Sequence, residues 1–242
     1  MLGVIGGMGP LATADFFRKL VDATPATRDE DHVPVLIHSV PQLPSRPAAI
    51  LRGGTSPLPE LLRARDRLLA AGATLLAIPC NTAHHWYDAL AADAGAPFVH
   101  IADAVAADLP AAPARIAIIA TAATLVAGIY VRRLDARYEW ITPTEAEYAA
   151  AVQPCIDAVK RNDCVSAGQS IEPVVTALLK RGAQRVVLAC TELPLALDAV
   201  GSGLRDRCID STAALARSCV SRQPRPRNVP TSRARAAGSQ AT

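Results

Sequence analysis

The stretches LLAIPCNTAHHW (residues 75–86) and VVLACTELPLAL (residues 186–197) share one plan. Each begins as an uninterrupted apolar run, which is typical of a strand that is buried on both faces of a parallel sheet. Each run ends at a cysteine that is followed by polar residues. The plan predicts that Cys80 and Cys190 lie at the carboxyl ends of two strands, where parallel sheets bind their ligands.

The residues in front of these two runs also match. Gly72 and Gly182 stand where a helix commonly ends in a left-handed residue, so we expect helices over 61–71 and 174–181 that close at these glycines. The two glycines are 110 residues apart in the chain, and so are the two cysteines. A common spacing of this kind indicates an internal duplication.

A second pair of stretches supports the duplication. VIGGMGPLATADFFRKL (4–20) aligns with IIATAATLVAGIYVRRL (118–134) at a constant offset of 114 residues. Both stretches predict a short apolar strand, a turn of small residues and an amphipathic helix. Under this alignment Thr121 is the counterpart of Gly7.

The duplication predicts an α/β protein of two similar Rossmann-like domains, with parallel sheets related by a pseudo-twofold axis and the active site in the cleft between them. The proline-bearing segment DLPAAPAR (108–115) joins the halves. The expected parts are an N-terminal domain at 1–107 completed by a helix at 209–220, a C-terminal domain at 115–208, and a disordered basic tail at 221–242.

Charge and composition limit the classes of function. The net charge is +3, but the tail holds five arginines and no acidic residue, so the rest of the chain carries −2. This argues against nucleic acid as a partner, although a basic arm that touches nucleic acid stays open. The uncharged run at 116–131 is shorter than the roughly 18 residues that a membrane span needs, so we expect no membrane contact. Six cysteines without a C-x-x-C pair favour a reducing cytoplasm.

A cysteine that precedes a helix faces the positive end of the helix dipole. This predicts that the thiolates of Cys80 and Cys190 are favoured below the ordinary pKa of about 8.5. The polar residues after the cysteines are expected either to cap the helices or to hold a substrate carboxylate; they are Asn81 and Thr82 in the first half and Thr191 and Glu192 in the second. Two buried cysteines that merely coincide in a diverged duplication are an alternative without any chemistry.

Three chemistries fit cysteines at these positions. Cys80 with His84 as its base would make a thiol hydrolase, but the sequence suggests no partner that orients His84. Cys80, His84 and His85 would make a metal site, but adjacent helical histidines point about 100° apart and no fourth ligand is suggested, so we expect no metal. Two thiols acting on opposite faces of one carbon would make a racemase, and the symmetry of that reaction matches the symmetry of the sequence.

Three motifs resemble the aspartate/glutamate racemase superfamily, specifically its aspartate racemase branch. They are GVIGGMGPLAT near the start of the chain, PCNTAHHWYDAL around Cys80 and VVLACTELPLAL around Cys190, and the match continues to IDSTAALARSCV at 209–220. The resemblance implies an isomerase that racemizes acidic amino acids without a cofactor, with one cysteine from each half as an acid/base. It also implies a homodimer.

The resemblance implies the remaining site residues as well. Arg46 and Lys160 would each neutralise one carboxylate of a dicarboxylic amino acid. The segment ILRGGTSP (50–57) departs from the family pattern and is expected to be a disordered or lid-like loop that affects substrate choice. The other residues expected around the substrate are Met8, Asn81, Thr82, Thr121, Thr124 and Thr191.

These observations together predict a racemase for aspartate, with glutamate as the second candidate. A decarboxylase or a cis-trans isomerase of the same superfamily would share the fold, but a decarboxylase needs one cysteine and this chain has both. A non-catalytic amino-acid-binding module would use the same cleft without chemistry.

Overall fold

The computed structural model describes residues 1–134 and 136–223. Its strands are β1 (Leu2–Gly6), β2 (Val35–Ser39), β3 (Leu75–Ala77), β4 (Ala114–Ala120), β5 (Tyr138–Ile141), β6 (Arg185–Ala189) and β7 (Cys208–Asp210). They form two sheets with the orders β2-β1-β3 and β5-β4-β6-β7, and every pairing is parallel. Two parallel sheets flanked by helices confirm the predicted fold class.

The helices lie between and after the strands along the chain and are numbered in chain order. They are α1 (Pro10–Ala23), α2 (Arg46–Arg52), α3 (Leu58–Ala70), α4 (Tyr87–Ala91), α5 (Ile101–Ala106), α6 (Ala122–Val126), α7 (Glu145–Glu147), α8 (Gln153–Lys160), α9 (Cys164–Lys180), α10 (Glu192–Ala199) and α11 (Ser211–Ser221). A 3₁₀ turn at Thr82–Trp86 precedes α4, and a π-helical turn at Tyr148–Val152 joins α7 to α8.

The central strands of both sheets are buried, as their apolar runs predict. All five residues of β1 are buried, and six of the seven in β4. The run at 116–131, which is too short for a membrane span, forms most of β4, the whole of α6 and the turn that follows it. Within the described residues, the helices are all too short or too polar to cross a membrane.

The glycine turns in front of β3 and β6 form as predicted. Gly72 and Gly182 have φ angles of +91° and +92°, which are left-handed. The next amide donates back into the helix, from Ala73 to the Leu68 carbonyl at 3.0 Å and from Ala183 to the Leu178 carbonyl at 3.2 Å. This is the hydrogen-bond pattern of a Schellman motif.

Both helices that lead into these turns are longer than predicted. The helix expected at 61–71 is α3, which begins at Leu58, and the helix expected at 174–181 is α9, which begins at Cys164. Pro173 lies inside α9 although proline usually breaks a helix. The buried face of α9, which includes Ile171, Val175 and Leu178, packs on α8 and α10 and keeps the helix continuous.

The C-terminal segment connects the two halves. Residues 208–210 form β7 beside β6, so the helix expected at 209–220 begins two residues later, at Ser211. α11 then leaves the second sheet and packs against α1 and α5 of the first half. The segment between the halves is shorter than expected, because β4 already begins at Ala114. The tail expected at 221–242 lies outside the described residues from position 224 onward.

Candidate active site

The carboxyl ends of β1, β3, β4 and β6 open onto one cleft of about 460 Å³. This is the place where parallel α/β sheets bind ligands. The cleft brings together every residue that the sequence predicted as a catalytic base or as part of the substrate pocket, with the exception of Thr124. They are Met8, Arg46, Cys80, Asn81, Thr82, Thr121, Lys160, Cys190 and Thr191.

The loop after β1 needs its glycines. The backbone of Gly7 has a φ of +92°, and a Cβ at this position would lie 2.4 Å from the Val40 amide nitrogen. Thr13 holds the loop, because its hydroxyl accepts from the Gly7 amide and donates to the Gly9 carbonyl, both at 2.9 Å. Met8 is thereby placed at the cleft wall, where it also packs into the apolar core of the first half.

The two cysteines are buried at the cleft, with exposed fractions of 7% for Cys80 and 6% for Cys190. Their neighbours differ in charge. The positive charge of the Arg46 guanidinium favours the Cys80 thiolate. The Cys190 thiol donates to Oε2 of Glu192 at 3.0 Å. Equivalent strand ends therefore present two thiols in unlike electrostatic surroundings.

The prediction of a lowered thiol pKa is wrong for both cysteines. Burial raises the pKa of Cys80, and Arg46 opposes this only in part. Burial and the Glu192 carboxylate raise the pKa of Cys190 well above its ordinary value, with Lys160 acting in the opposite direction. Loss of solvation penalises the thiolate more than the adjacent helix ends favour it.

The two predicted cations, Arg46 and Lys160, are available to bind an anion. Arg46 is the first residue of α2, and its Nη1 donates to the Pro44 carbonyl at 3.2 Å while its buried Nε has no hydrogen-bond partner among the described residues. Lys160 is the exposed last residue of α8. It forms no ion pair within the described parts of the chain. Both side chains line the cleft.

Three hydroxyls join the two halves beside the cleft. Thr82 lies 3.1 Å from Thr121 and 2.8 Å from Thr124, oxygen to oxygen, and Thr121 lies 2.9 Å from Thr124. Thr121 also caps α6 by accepting from the Thr124 amide. Thr124 is 1% exposed and sits behind Thr82 and Thr121 rather than on the cleft wall.

Asn81 uses its side chain to bridge the halves instead of capping a helix. Its Oδ1 accepts from the Tyr130 hydroxyl, and its Nδ2 donates to the Ser211 hydroxyl at 3.1 Å. Ser211 in turn donates to the Leu188 carbonyl of β6 at 2.8 Å. The second Nδ2 hydrogen is what the Asn81 side chain has left for a ligand.

A sequence profile of the family described as Asp/Glu/Hydantoin racemase matches residues 5–219. The matched region includes both cysteines and all of the sheet residues from Ile5 onward. The chain belongs to the Asp/Glu/Hydantoin racemase family. The resemblance drawn from the three motifs is thereby confirmed.

Individual proteins that this chain resembles are named as racemases. The broad specificity amino-acid racemase RacX of Bacillus subtilis is 27% identical over 234 residues, covering 91% of this chain and 97% of the relative. An aspartate racemase structure from Picrophilus torridus is 29% identical with a TM-score of 0.78, covering 91% of this chain and 94% of that one. A glutamate racemase structure from Campylobacter jejuni, 20% identical with a TM-score of 0.60 and covering 93% and 86%, shares the fold.

His84 has a structural position in this racemase homologue. Contrary to expectation it has orienting partners, because its Nδ1 bonds the Cys80 carbonyl at 2.9 Å and its Nε2 accepts from the Ile101 amide at 3.1 Å. Burial lowers its pKa to about 4. With both ring nitrogens occupied by backbone groups, His84 serves neither as a base for Cys80 nor as a metal ligand.

Glu192 has a different role from the one expected for it, which was to cap a helix or hold a substrate carboxylate. It is 6% exposed, it lines the cleft, and its Oε2 accepts from both the Cys190 thiol and, at 2.9 Å, the Thr191 hydroxyl. Thr191 therefore does not cap α10. Glu192 follows Cys190 by two residues in the motif that carries the family resemblance, but its contact with the Cys190 thiol could not be predicted from the sequence.

Proposed function

We propose that this chain is a cofactor-independent racemase that interconverts L- and D-aspartate, with Cys80 and Cys190 as the two acid/base groups. The observation that carries the proposal is the placement of two buried cysteines at equivalent strand ends of a duplicated fold, both lining one cleft. Glutamate is the second candidate substrate, and the similarity to a broad specificity amino-acid racemase supports activity beyond one amino acid.

The reaction requires one thiolate and one thiol. The thiolate removes the Cα proton from one face of the substrate, and the opposing thiol delivers its own proton to the other face, so that the two groups exchange roles in the reverse direction. The two thiols perform both proton transfers in this scheme, and the proposed reaction takes place without a cofactor. The pair lies in a buried cleft where water competes poorly for the carbanion.

The charged residues of the cleft suit a dicarboxylic amino acid. Arg46 offers a planar fork and Lys160 a flexible ammonium, and each can neutralise one carboxylate. Arg46 also opposes the burial that raises the pKa of Cys80, which favours that thiolate. Thr82 and the remaining Asn81 amide hydrogen are assigned to the carboxylate next to the reacting carbon, where negative charge develops. The single Thr191 hydroxyl hydrogen is already donated to Glu192.

The test is incubation with L-aspartate in deuterated water. We expect deuterium at Cα together with loss of optical rotation, because the proton that returns comes from a thiol in exchange with solvent. Cys80→Ala and Cys190→Ala should each reduce racemization by about 10³-fold or more, since each removes one acid/base group. Cys219→Ala, at a buried cysteine of α11 outside the cleft lining, is the matched control.

The outcome also separates the alternatives. A fully active Cys190→Ala protein would refute the two-base scheme. Binding of aspartate with neither exchange nor racemization would favour the non-catalytic module, and loss of CO₂ from a malonate-type acid would favour the decarboxylase. The homodimer and the cytoplasmic location remain proposals; sedimentation of the purified chain tests the first, and fractionation of cells that express it tests the second.

A further inference from the structure

The cleft carries an uneven set of charges. Among the residues that line it, Arg46 and Lys160 are the cations and Glu192 is the carboxylate. An aspartate zwitterion has the complementary set, with two carboxylates and one ammonium group. The two cations are matched by the proposed function, but nothing in that scheme uses the buried carboxylate of Glu192.

The carboxyl group of Glu192 acts as a hydrogen-bond acceptor. The Cys190 thiol and the Thr191 hydroxyl both donate to the same oxygen, Oε2. Oε2 therefore acts as an acceptor toward both neighbours. The other oxygen, Oε1, accepts no hydrogen bond from any residue that the structure describes. A carboxyl group with one oxygen still able to accept, at the wall of the cleft, suits a cationic donor.

On the basis of the proposed function, we propose that Glu192 binds the α-ammonium group of the substrate and thereby selects amino acids over dicarboxylates that lack an amine. The ammonium donates to Glu192, while the carboxylates bind Arg46 and Lys160. A dicarboxylate without an amine leaves the buried carboxylate without its cationic partner. Sites built to hydrogen-bond a ligand group discriminate strongly against the analogue that lacks that group.

The position of Glu192 explains why the selection takes place at the reacting carbon. The ammonium group is attached to Cα, and Glu192 contacts Cys190, one of the two thiols proposed to act on that carbon. Binding of the ammonium at this carboxylate therefore aligns Cα with the Cys190 sulfur. A carboxylate elsewhere in the cleft would recognise the charge but would not set this alignment.

The experiment compares two ligands that differ by the amine. Binding of L-aspartate and of succinate is measured by calorimetry in the Cys80→Ala protein, in which each enantiomer stays as added, and again after Glu192→Gln is introduced. We expect Glu192→Gln to weaken aspartate binding roughly 10- to 100-fold, the range for a lost hydrogen bond to a charged group, and to leave succinate binding unchanged or stronger, because the unpaired carboxylate is gone. Glu145→Gln, at an exposed carboxylate outside the cleft lining, is the matched control.

A second variant keeps the test sharp if Glu192→Gln disturbs the site. Glu192→Asp retains the charge, and we expect it to keep part of the preference for aspartate over succinate. Parallel weakening of both ligands in Glu192→Gln, or equal loss of preference in both variants, would overturn the inference, because Glu192 would then support only the shape of the cleft. So would an unchanged preference in Glu192→Gln.

The proposed function and this inference fail in different ways. Aspartate binding that depends on Glu192, together with no deuterium exchange in the wild-type chain, would remove the proposed reaction and support the inference. Racemization of aspartate by a Glu192→Gln protein with unchanged KM would overturn the inference and support the reaction. If neither aspartate nor succinate binds, both are wrong.

Discussion

Cys80 and Cys190 are the same residue type at equivalent strand ends, yet the side chains next to them carry opposite charges. Arg46 stabilises a negative charge on Cys80, whereas Glu192 holds the proton on Cys190. Burial raises the pKa of both thiols, so the difference between them rests on these two neighbours. The duplicated fold thus places two thiols in chemically distinct surroundings.

Removing the positive charge of Arg46 should raise the pKa of Cys80 and not that of Cys190. In Arg46→Gln we expect the alkylation of Cys80 by iodoacetamide to shift to higher pH, because the nearby positive charge lowers the pKa of Cys80. Peptide mass spectrometry over a pH series measures both cysteines in one sample. Arg52→Gln, at the exposed end of the same helix, is the control, and an equal shift at Cys190 would contradict the assignment.

At the scale of elements, the two halves continue differently after the cysteines. After Cys80 the chain forms the 3₁₀ turn at Thr82–Trp86, and after Cys190 it forms the eight-residue helix α10. The turns that lead into the strands are alike, because Gly72 and Gly182 adopt nearly the same left-handed backbone. The duplication therefore persists where backbone geometry demands one residue type, and it has diverged where helix length is free.

These glycine turns can be tested in both halves. Gly72→Ala and Gly182→Ala should each lower the free energy of unfolding by about 1–2 kcal/mol, which is the cost of a left-handed backbone for a residue with a Cβ. Urea denaturation measures the change. Gly203→Ala is the control, because its backbone is outside the left-handed range and its added Cβ meets open space. A neutral result at both turn positions would show that the turns relax into another geometry.

At the scale of the whole molecule, a buried ion-pair network joins the C-terminal segment to the first half. Lys19 of α1 lies 2.5 Å from Asp15 and 2.8 Å from Asp210, and Arg205 lies 3.2 Å from Asp210. Asp210 ends β7 and caps α11 through the Thr212 and Ala213 amides. The network therefore connects the end of the second sheet to α1, whose first residues line the cleft.

Loss of the lysine should be costly at neutral pH. Lys19→Met removes the cation that two buried carboxylates share and leaves them with Arg18 and Arg205, so we expect a loss of about 1.5–3 kcal/mol in the free energy of unfolding. Urea titrations at pH 7 measure it. Lys180→Met, at the exposed end of α9, is the control and should change stability by less than about 0.5 kcal/mol.

The same network gives the variant a defined pH dependence. Burial raises the pKa of Asp210, but Lys19 and the capping amides outweigh this and lower it to about 2. A lowered pKa contributes stability above the unfolded value of about 3.9 and loses it as the pH falls toward the folded value. The deficit of Lys19→Met should therefore shrink between about pH 4 and pH 2, and a constant deficit would contradict the role of Lys19.

Much of this fold and part of its site could be predicted from the chain alone. Apolar runs, the glycines at 72 and 182, and the spacing between the two halves are local or repeated features, so they predicted the sheets, the turns and the placement of Cys80 and Cys190 at one cleft. Helix lengths were less accurate, because packing against α8 and α10 kept α9 continuous through Pro173.

The electrostatics of the site depended on contacts between residues that are far apart in the chain. The pKa values of the thiols are raised because the folded chain buries them, and no local motif indicates that loss of solvent. Asn81 bonds Tyr130 and Ser211, more than 45 positions away, and these partners changed it from an expected cap into a bridge. Patterns along the chain encode which segments become strands and helices, whereas burial and long-range partners, which set pKa values and hydrogen-bond roles, exist only after the chain has packed.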